Sequence, residues 1–565
     1  MLQGNMYDLM PVRSPRLHGA ALRLLVPLLE QPAIASLLAP RILRNLGVLD
    51  LRAADIKESP TFLPLHAAAS DSTASGHCPD VVPMRSRCGV GFHFHSIRDY
   101  QHAFQNRTVT PDQIAERVCA AIVASDDMPK PLRAFIACDR ENILSQACEA
   151  TRRYRQSRPL GTLDGIPIAV KDEVDMVPYP TTAGTRFLCS AAQTDSTVVA
   201  RLRSAGALLI GKTNMHEIGI LPDGWNPHHG VVRNPYNPVH ETGGSSSGSA
   251  AAVASGLCPG AIGADGGGSI RVPASFCGVI GLKPTFGRVS EFGAVPLAWS
   301  VAHLGPIAAT AEDAALLYAT IAGQDPADPN TQSQPAVRID KYDGSLNGVR
   351  VGIYGLWFSD AEGPIVAACE QALANLARLG AELVDVAIPD LRRMAIAHGL
   401  TIHAEMAANM DRYDRHRGKF GWTTRMMLAT VRTVPSSDYV QAQRMRTCAI
   451  RHFLSELMKA DVIAMPTTPV AAPEISEKAL PHGEVDLGQA IRIMQFVNPA
   501  NFTGLPAISI PVGYDHRSLP IGLQLIARPW DENLLFRLAY ALEPTLERRR
   551  PTVYFDLLPE LGGSG

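Results

Sequence analysis

Ten cysteines are spread over 565 residues, and no two of them form a CxxC pair. That scatter argues against a disulfide scaffold and for a reduced, cytoplasmic compartment. Cys78, Cys88, His93 and His95 lie close in sequence, but their spacing matches no standard ligand pattern, so no zinc site is expected. Charge of one sign is also missing: 52 Lys and Arg face 54 Asp and Glu. The balance excludes the electrostatic footprint of a nucleic-acid-binding protein. Short basic runs, Arg152-Arg153-Tyr154-Arg155 and Arg548-Arg549-Arg550, read as solvated helix faces or ends. No internal repeat is present.

Long apolar runs are lacking as well. The most lipid-like stretch, residues 19–40, is broken by Arg23, Glu30 and three prolines, so it is no transmembrane helix. It lacks the small-residue cleavage site of a signal peptide. Two readings remain for it: a helical extension packed on the main domain, or an interfacial patch that touches membrane or collects apolar substrate.

With 46% apolar and 19% charged residues, the chain has material for a large core and no case for global disorder. Length alone would suggest three or four domains, but the patterning divides the chain differently. Residues 1–65 read as an N-terminal helical extension and 66–96 as a linker. Residues 97–550 form a dense globular domain, and 551–565 a C-terminal tail. Thr110-Pro111-Asp112-Gln113 is a helix start with a capping box and Pro at the first helical position. Ile166–Val170, Ala207–Ile210, Ala261–Ala264, Asp461–Ala464 and Ala507–Ile510 read as buried strands, while Ala250–Ala254 and Asp531–Leu542 read as helices. The alternation predicts an α/β fold, a mixed central sheet covered by helices. Residues 391–450 break the rhythm with Met394, Met406, Met410, Met426, Met427 and Met445, which suit core gaps or an adaptable apolar substrate wall.

Two motifs mislead. Gly206-Ala-Leu-Leu-Ile-Gly211-Lys212-Thr213 matches the phosphate-loop pattern, but its four intervening residues are a strand and cannot wrap a phosphate. Gly244-Ser245-Ser246-Ser247-Gly248 matches the nucleophile elbow, but turn formers precede it where the elbow requires a strand, so Ser246 is not expected to be a nucleophile.

The informative block is Thr242–Thr285. In it Asp265-Gly266-Gly267-Gly268-Ser269 follows a strand. Three glycines before a serine leave backbone N–H groups unshielded, able to converge on a developing oxyanion while the serine attacks the carbonyl held there. No histidine motif supplies a base. Lys171 ends an apolar strand; such a lysine is ordinarily a solvated charge, but a buried one can lose its proton and act as a base in Ser–Lys chemistry.

Taken together, Gly165–Asp175, Gly211–Glu217, Thr242–Thr285, Met465–Pro469, Asn501–Gly513 and Leu519–Leu525 closely resemble the amidase signature family, over about 97 to 545. The resemblance implies Ser269 as nucleophile, Ser245 as a bridging serine after a cis peptide bond, and Lys171 as base. It also implies an oxyanion hole at Gly266, Gly267, Gly268 and the Ser269 amide, with Ser246, Asp265 and Arg271 holding the loops. Ser247 and Gly266 depart from the common family form. With Ile97-Arg98-Asp99-Tyr100 and the N-terminal extension, they resemble the plant-type fatty acid amide hydrolases. That subgroup implies hydrolysis of N-acylethanolamines and related acyl amides through an acyl-enzyme, no metal or organic cofactor, a homodimer and peripheral membrane contact. The alternatives are a general amidase for small, aryl or carbamate-type substrates, and an amidotransferase component working with tRNA-binding partners.

Overall fold

A computed structural model describes residues 7–10, 16–67 and 90–558, except 341, 343 and 481. Its centre is an eleven-stranded mixed sheet. The strands are β1 (Phe135–Ala137), β2 (Pro167–Lys171), β3 (Leu208–Thr213), β4 (Gly260–Ala264), β5 (Ile280–Lys283), β6 (Leu304–Ala308), β7 (Arg350–Ile353), β8 (Glu382–Asp385), β9 (Val462–Pro466), β10 (Ala507–Tyr514) and β11 (Pro520–Ala527). They lie in the order β8-β7-β9-β11-β10-β5-β6-β4-β2-β3-β1. Each strand expected from the sequence is present. Every residue of β2, β3 and β4 is buried, which is why these strands read as continuous apolar runs.

One register positions the chemistry. β2 and β4 are parallel neighbours, with Ile168 opposite Gly260 and Val170 opposite Ile262. Parallel neighbours end on the same edge of the sheet. The last residue of β2, Lys171, therefore lies beside the end of β4, where the Asp265–Ser269 loop begins. The short helix Ser247–Ala254 is made of small residues buried on every side, so it is enclosed within the core. At the helix Pro111–Asp126, Pro111 takes the first position and Thr110 and Gln113 form the expected capping box, with the Thr110 N–H donating to Gln113 Oε1 at 3.0 Å. The Thr110 hydroxyl also donates to Asp112 Oδ1.

The helices Ala20–Leu29 and Pro32–Asn45 meet at a bend of 106°. Leu22, Val26 and Leu29 are buried against Met426, Ala429 and Val485, and Glu30 accepts two hydrogen bonds from Arg425 at 2.9 and 2.6 Å. Each buried aliphatic side chain contributes about 1.5–3 kcal/mol, and the two-pronged Arg425–Glu30 pair, only 14% and 13% exposed, ties the end of the helix to the same neighbour. Among the described residues no single helix is long and apolar enough to cross a membrane. Of the expected linker, 68–89 lie outside the described residues, Cys78 and Cys88 among them. Residues 90–96 are tied down: Val90–Gly91 pairs with Glu547–Arg548, and Ser96 caps the helix Ile97–Gln105. The expected tail is held as well, with Phe555 N–H donating to Ser255 O at 2.8 Å and Leu557 and Leu558 in the main core.

Candidate active site

Lys171 is 1% exposed, not a surface charge. Its Nζ donates to Ser245 Oγ at 2.8 Å and to the carbonyl of Ala264 at 3.1 Å, and lies 3.0 Å from Glu173 Oε2. The Gly244–Ser245 peptide bond is cis. Ser246 is fully buried; its hydroxyl donates to Ala264 O at 3.1 Å and accepts from Ala264 N–H at 3.2 Å. A hydroxyl so engaged is a joint between the first Gly/Ser loop and β4, in keeping with its exclusion as an elbow nucleophile. The Ser246 N–H donates to Ser269 O at 3.1 Å, which sets the two Gly/Ser loops side by side.

Behind the second loop, Asp265 and Arg271 form a fully buried ion pair. The Arg271 Nε and Nη2 each lie 3.0 Å from an Asp265 oxygen, and Nη1 reaches Val497 O and the Gln524 side chain. Asn501 Nδ2 adds bonds of 2.7 and 2.9 Å to the Asp265 carbonyl and carboxylate. Burial alone would raise the Asp265 carboxyl, but the Arg271 guanidinium and the converging donors outweigh it and hold it far below the usual carboxylate range.

The oxyanion-hole expectation needs one correction. The Gly268 N–H donates to Asp265 Oδ1 at 2.6 Å, so this amide is committed to the loop and is not offered to a substrate. Gly268 serves instead through its backbone at φ +122°, a conformation that favours glycine. The amides of Gly266, Gly267 and Ser269 have no partner among the described residues. The peptide between Gly266 and Gly267 is pinned from the far side, because His398 Nε2 donates to Gly266 O at 2.8 Å. In a planar trans peptide the carbonyl and the next N–H point in opposite directions, so this bond fixes where the Gly267 N–H is aimed. Burial pushes His398 down to about 4, which keeps it neutral near pH 7.

Ser269 and Gly267 open on a cavity of about 200 Å³. Its walls are mainly apolar, with Leu46, Ile220, Ile396, Leu400, Val431 and Ile491 among them, and Leu9, Met10 and Asn45 of the N-terminal segment line it too. All six methionines of the 391–450 stretch are buried; Met427 lines the cavity and the others fill the core. Among the described residues no cluster of His, Cys, Asp or Glu is arranged to hold a metal. His93 and His95 contact Asp99 and Asp556. The phosphate-loop lookalike forms strand β3, and Lys212 is buried in it, donating to Val174 O at 2.6 Å.

The amidase family profile matches residues 116–536. The chain belongs to the amidase family. As an amidase it is a hydrolase of carbon–nitrogen bonds. The fatty acid amide hydrolase of Medicago truncatula is 39% identical, with 97% of this chain and 96% of that relative aligned. A glutamyl-tRNA(Gln) amidotransferase component from Koribacter versatilis is 35% identical over 79% of this chain and 97% of its own length. The peptide amidase of Stenotrophomonas maltophilia superposes with a TM-score of 0.68 at 30% identity, covering 82% of this amidase and 98% of that chain.

Glu173, His398, Asn501 and Gln524 are the site residues that sequence reasoning missed. Glu173, Asn501 and Gln524 lie within the segments that carry the family resemblance, but nothing local to them signals their role. His398 comes from a helix more than a hundred residues away, and nothing in its spacing points to the loop.

Proposed function

We propose that this amidase hydrolyses fatty acid amides, N-acylethanolamines among them. Ser269 is the nucleophile, Ser245 the bridge and Lys171 the base. The observation that carries the substrate class is the apolar cavity reaching from Ser269 to Leu46, Met10 and Leu9. It can take an acyl chain along its length while the scissile carbonyl rests at Ser269. The match of the Medicago relative over nearly the whole chain, N-terminal segment included, supports the same reading.

Neutral Lys171 takes the Ser245 hydroxyl proton as Ser245 takes that of Ser269, and Ser269 Oγ bonds to the amide carbonyl carbon. The amides of Gly266, Gly267 and Ser269 stabilise the tetrahedral oxyanion. The proton then returns through Ser245 to the leaving nitrogen, the carbon–nitrogen bond breaks, and the amine departs. Water, activated by the same relay, releases the fatty acid from the acyl-enzyme. Exposed Leu24, Leu28 and Leu37 on the bent helix pair, whose Asn45 end lines the cavity, support peripheral membrane contact. The homodimer implied by the family likeness belongs to this reading and is checked by light scattering.

The test assays the purified chain alone on N-acylethanolamines from short to long acyl length, with fluorophosphonate labelling of wild type and Ser269→Ala. Faster turnover of long acyl chains, with labelling lost in the variant, is expected. Preference for short or aryl amides over every long chain would remove the lipid assignment and leave a general amidase. Hydrolysis without partner proteins would set aside the amidotransferase reading.

A further inference from the structure

Nothing in the three-residue relay says what holds the lysine amine in its working orientation. Among the described residues the Lys171 nitrogen has three polar neighbours: the Ala264 carbonyl at 3.1 Å, Glu173 Oε2 at 3.0 Å and Ser245 Oγ at 2.8 Å. A neutral amine has two N–H bonds and one lone pair. The Ala264 carbonyl accepts one N–H bond, and the Glu173 carboxylate, which can only accept, sits beside the nitrogen as its ion-pair partner. The ammonium donates to Ser245 Oγ; once its proton is lost, the lone pair meets the same hydroxyl, the one of the three neighbours that can donate. Glu173 is 6% exposed, so its contact with the amine is largely shielded from water.

We infer that Glu173 is a positioning residue for the base: its carboxylate holds the Lys171 amine beside Ser245 and neutralises the ammonium formed when the relay proton arrives. This rests on the Ser269–Ser245–Lys171 reading. The balance is simple. One proton leaves Ser269 Oγ, one passes from Ser245 Oγ to Nζ, and the resulting ammonium–carboxylate pair is neutral overall. The same proton is returned through Ser245 to the departing amine.

A carboxylate 3.0 Å away attracts an ammonium more strongly than a neutral amine, so its removal is expected to register in the pH profile. Other charged groups reach the same place. Lys212, on β3, lies 3.5 Å from Asp172 Oδ1 and also feels Asp175 and Glu173. Burial, with the Asp328, Glu173 and Glu405 charges, pushes Glu291 up to about 8, so it is protonated and adds no charge near pH 7. Glu405 is held by Ser300 and Tyr439. These groups are common to wild type and variants, so a difference between them isolates Glu173.

The experiment records kcat/KM against pH for wild type, Glu173→Gln, Glu173→Leu, Glu173→Asp and Lys171→Ala, with folding checked by circular dichroism. Glu173→Gln keeps an oxygen acceptor without the charge, so its acid limb is expected to move to lower pH by half a unit or more. Glu173→Leu removes the acceptor as well, and its kcat is expected to fall tenfold or more with KM little changed. If Glu173→Gln does not fold, Glu173→Asp decides: it keeps the charge but withdraws the contact, so kcat falls while the acid limb moves by less than half a unit. An acid limb unmoved in folded Glu173→Gln, or kcat unchanged in Glu173→Leu or Glu173→Asp, overturns the role of Glu173. The relay reading fails separately, if Lys171→Ala keeps the wild-type rate and profile.

Discussion

A methyl group at Gly267 would sit 2.8 Å from His398 Cε1, closer than side chains pack. Gly267→Ala therefore pushes against the ring that fixes the Gly266 carbonyl, and the Gly267 N–H loses its aim. Removal of one oxyanion donor costs on the order of 10²–10³ in kcat, and a drop of that size is expected here, with KM for a long-chain amide changed less. Steady-state kinetics read both. The residue behind the loop has a different consequence. Asp265→Asn leaves the Arg271 guanidinium buried without its counter-charge, and breaking a buried pair in this way costs about 3–5 kcal/mol. Urea unfolding followed by fluorescence is expected to show that loss. In the wild type the held-down Asp265 carboxyl adds stability that is complete above the ordinary carboxylate range and is lost as pH falls toward its lowered value.

The elements differ in how plainly the chain announces them. β2, β3 and β4 were legible because strands buried on both faces must be apolar throughout, and the Pro111 helix because its start uses local chemistry. β1 has three residues and β8 is exposed along most of its length, so neither produces a pattern that stands out from loop sequence. The two Gly/Ser loops stood out for the opposite reason: their glycine and serine content is too unusual for packing alone. What stayed hidden were side chains that act across distance, Asn501 and His398 on Asp265 and Gly266, and the turn of the Gly268 amide toward Asp265 rather than the cavity. Such pairings are properties of the tertiary arrangement, and no local spacing encodes them. The N-terminal helices follow the same logic. The sequence left packing and interfacial roles open for 19–40, and the element does the first with Leu22, Val26 and Leu29 while presenting Leu24 and Leu37 outward. Deletion of residues 1–47 takes away Leu9, Met10, Asn45, Leu46 and Gly47 from the cavity. It is expected to lower kcat/KM for long-chain amides at least tenfold more than for a short aryl amide, measured on the same preparation.

At the scale of the whole molecule, the chemistry and the apolar surface are physically separate. The loops bearing Ser245 and Ser269 stand at one edge of the sheet, deep in the core, whereas Leu24 and Leu37 are 73% and 81% exposed on the N-terminal segment. Changes to that surface should therefore alter where the enzyme works without altering how. Leu24→Glu combined with Leu37→Glu is expected to reduce co-sedimentation with phosphatidylcholine–phosphatidylserine vesicles several-fold. Turnover of a water-soluble amide by the same variant is expected to stay within twofold of wild type.

The cavity is walled jointly by the N-terminal segment, through Leu9 and Leu46, and by the core, through Ser269. An acyl chain lying in it would act as a missing piece of hydrophobic core, gluing together two parts of the polypeptide that otherwise meet along a partly hollow seam. Occupancy then becomes a mechanical property of the protein. A non-cleavable lipid ether analogue at a hundred times its Kd would contribute about 2.7 kcal/mol to stability, and the seam would gain most from it, with trypsin reaching Arg41 and Arg44 more slowly as the analogue fills the gap.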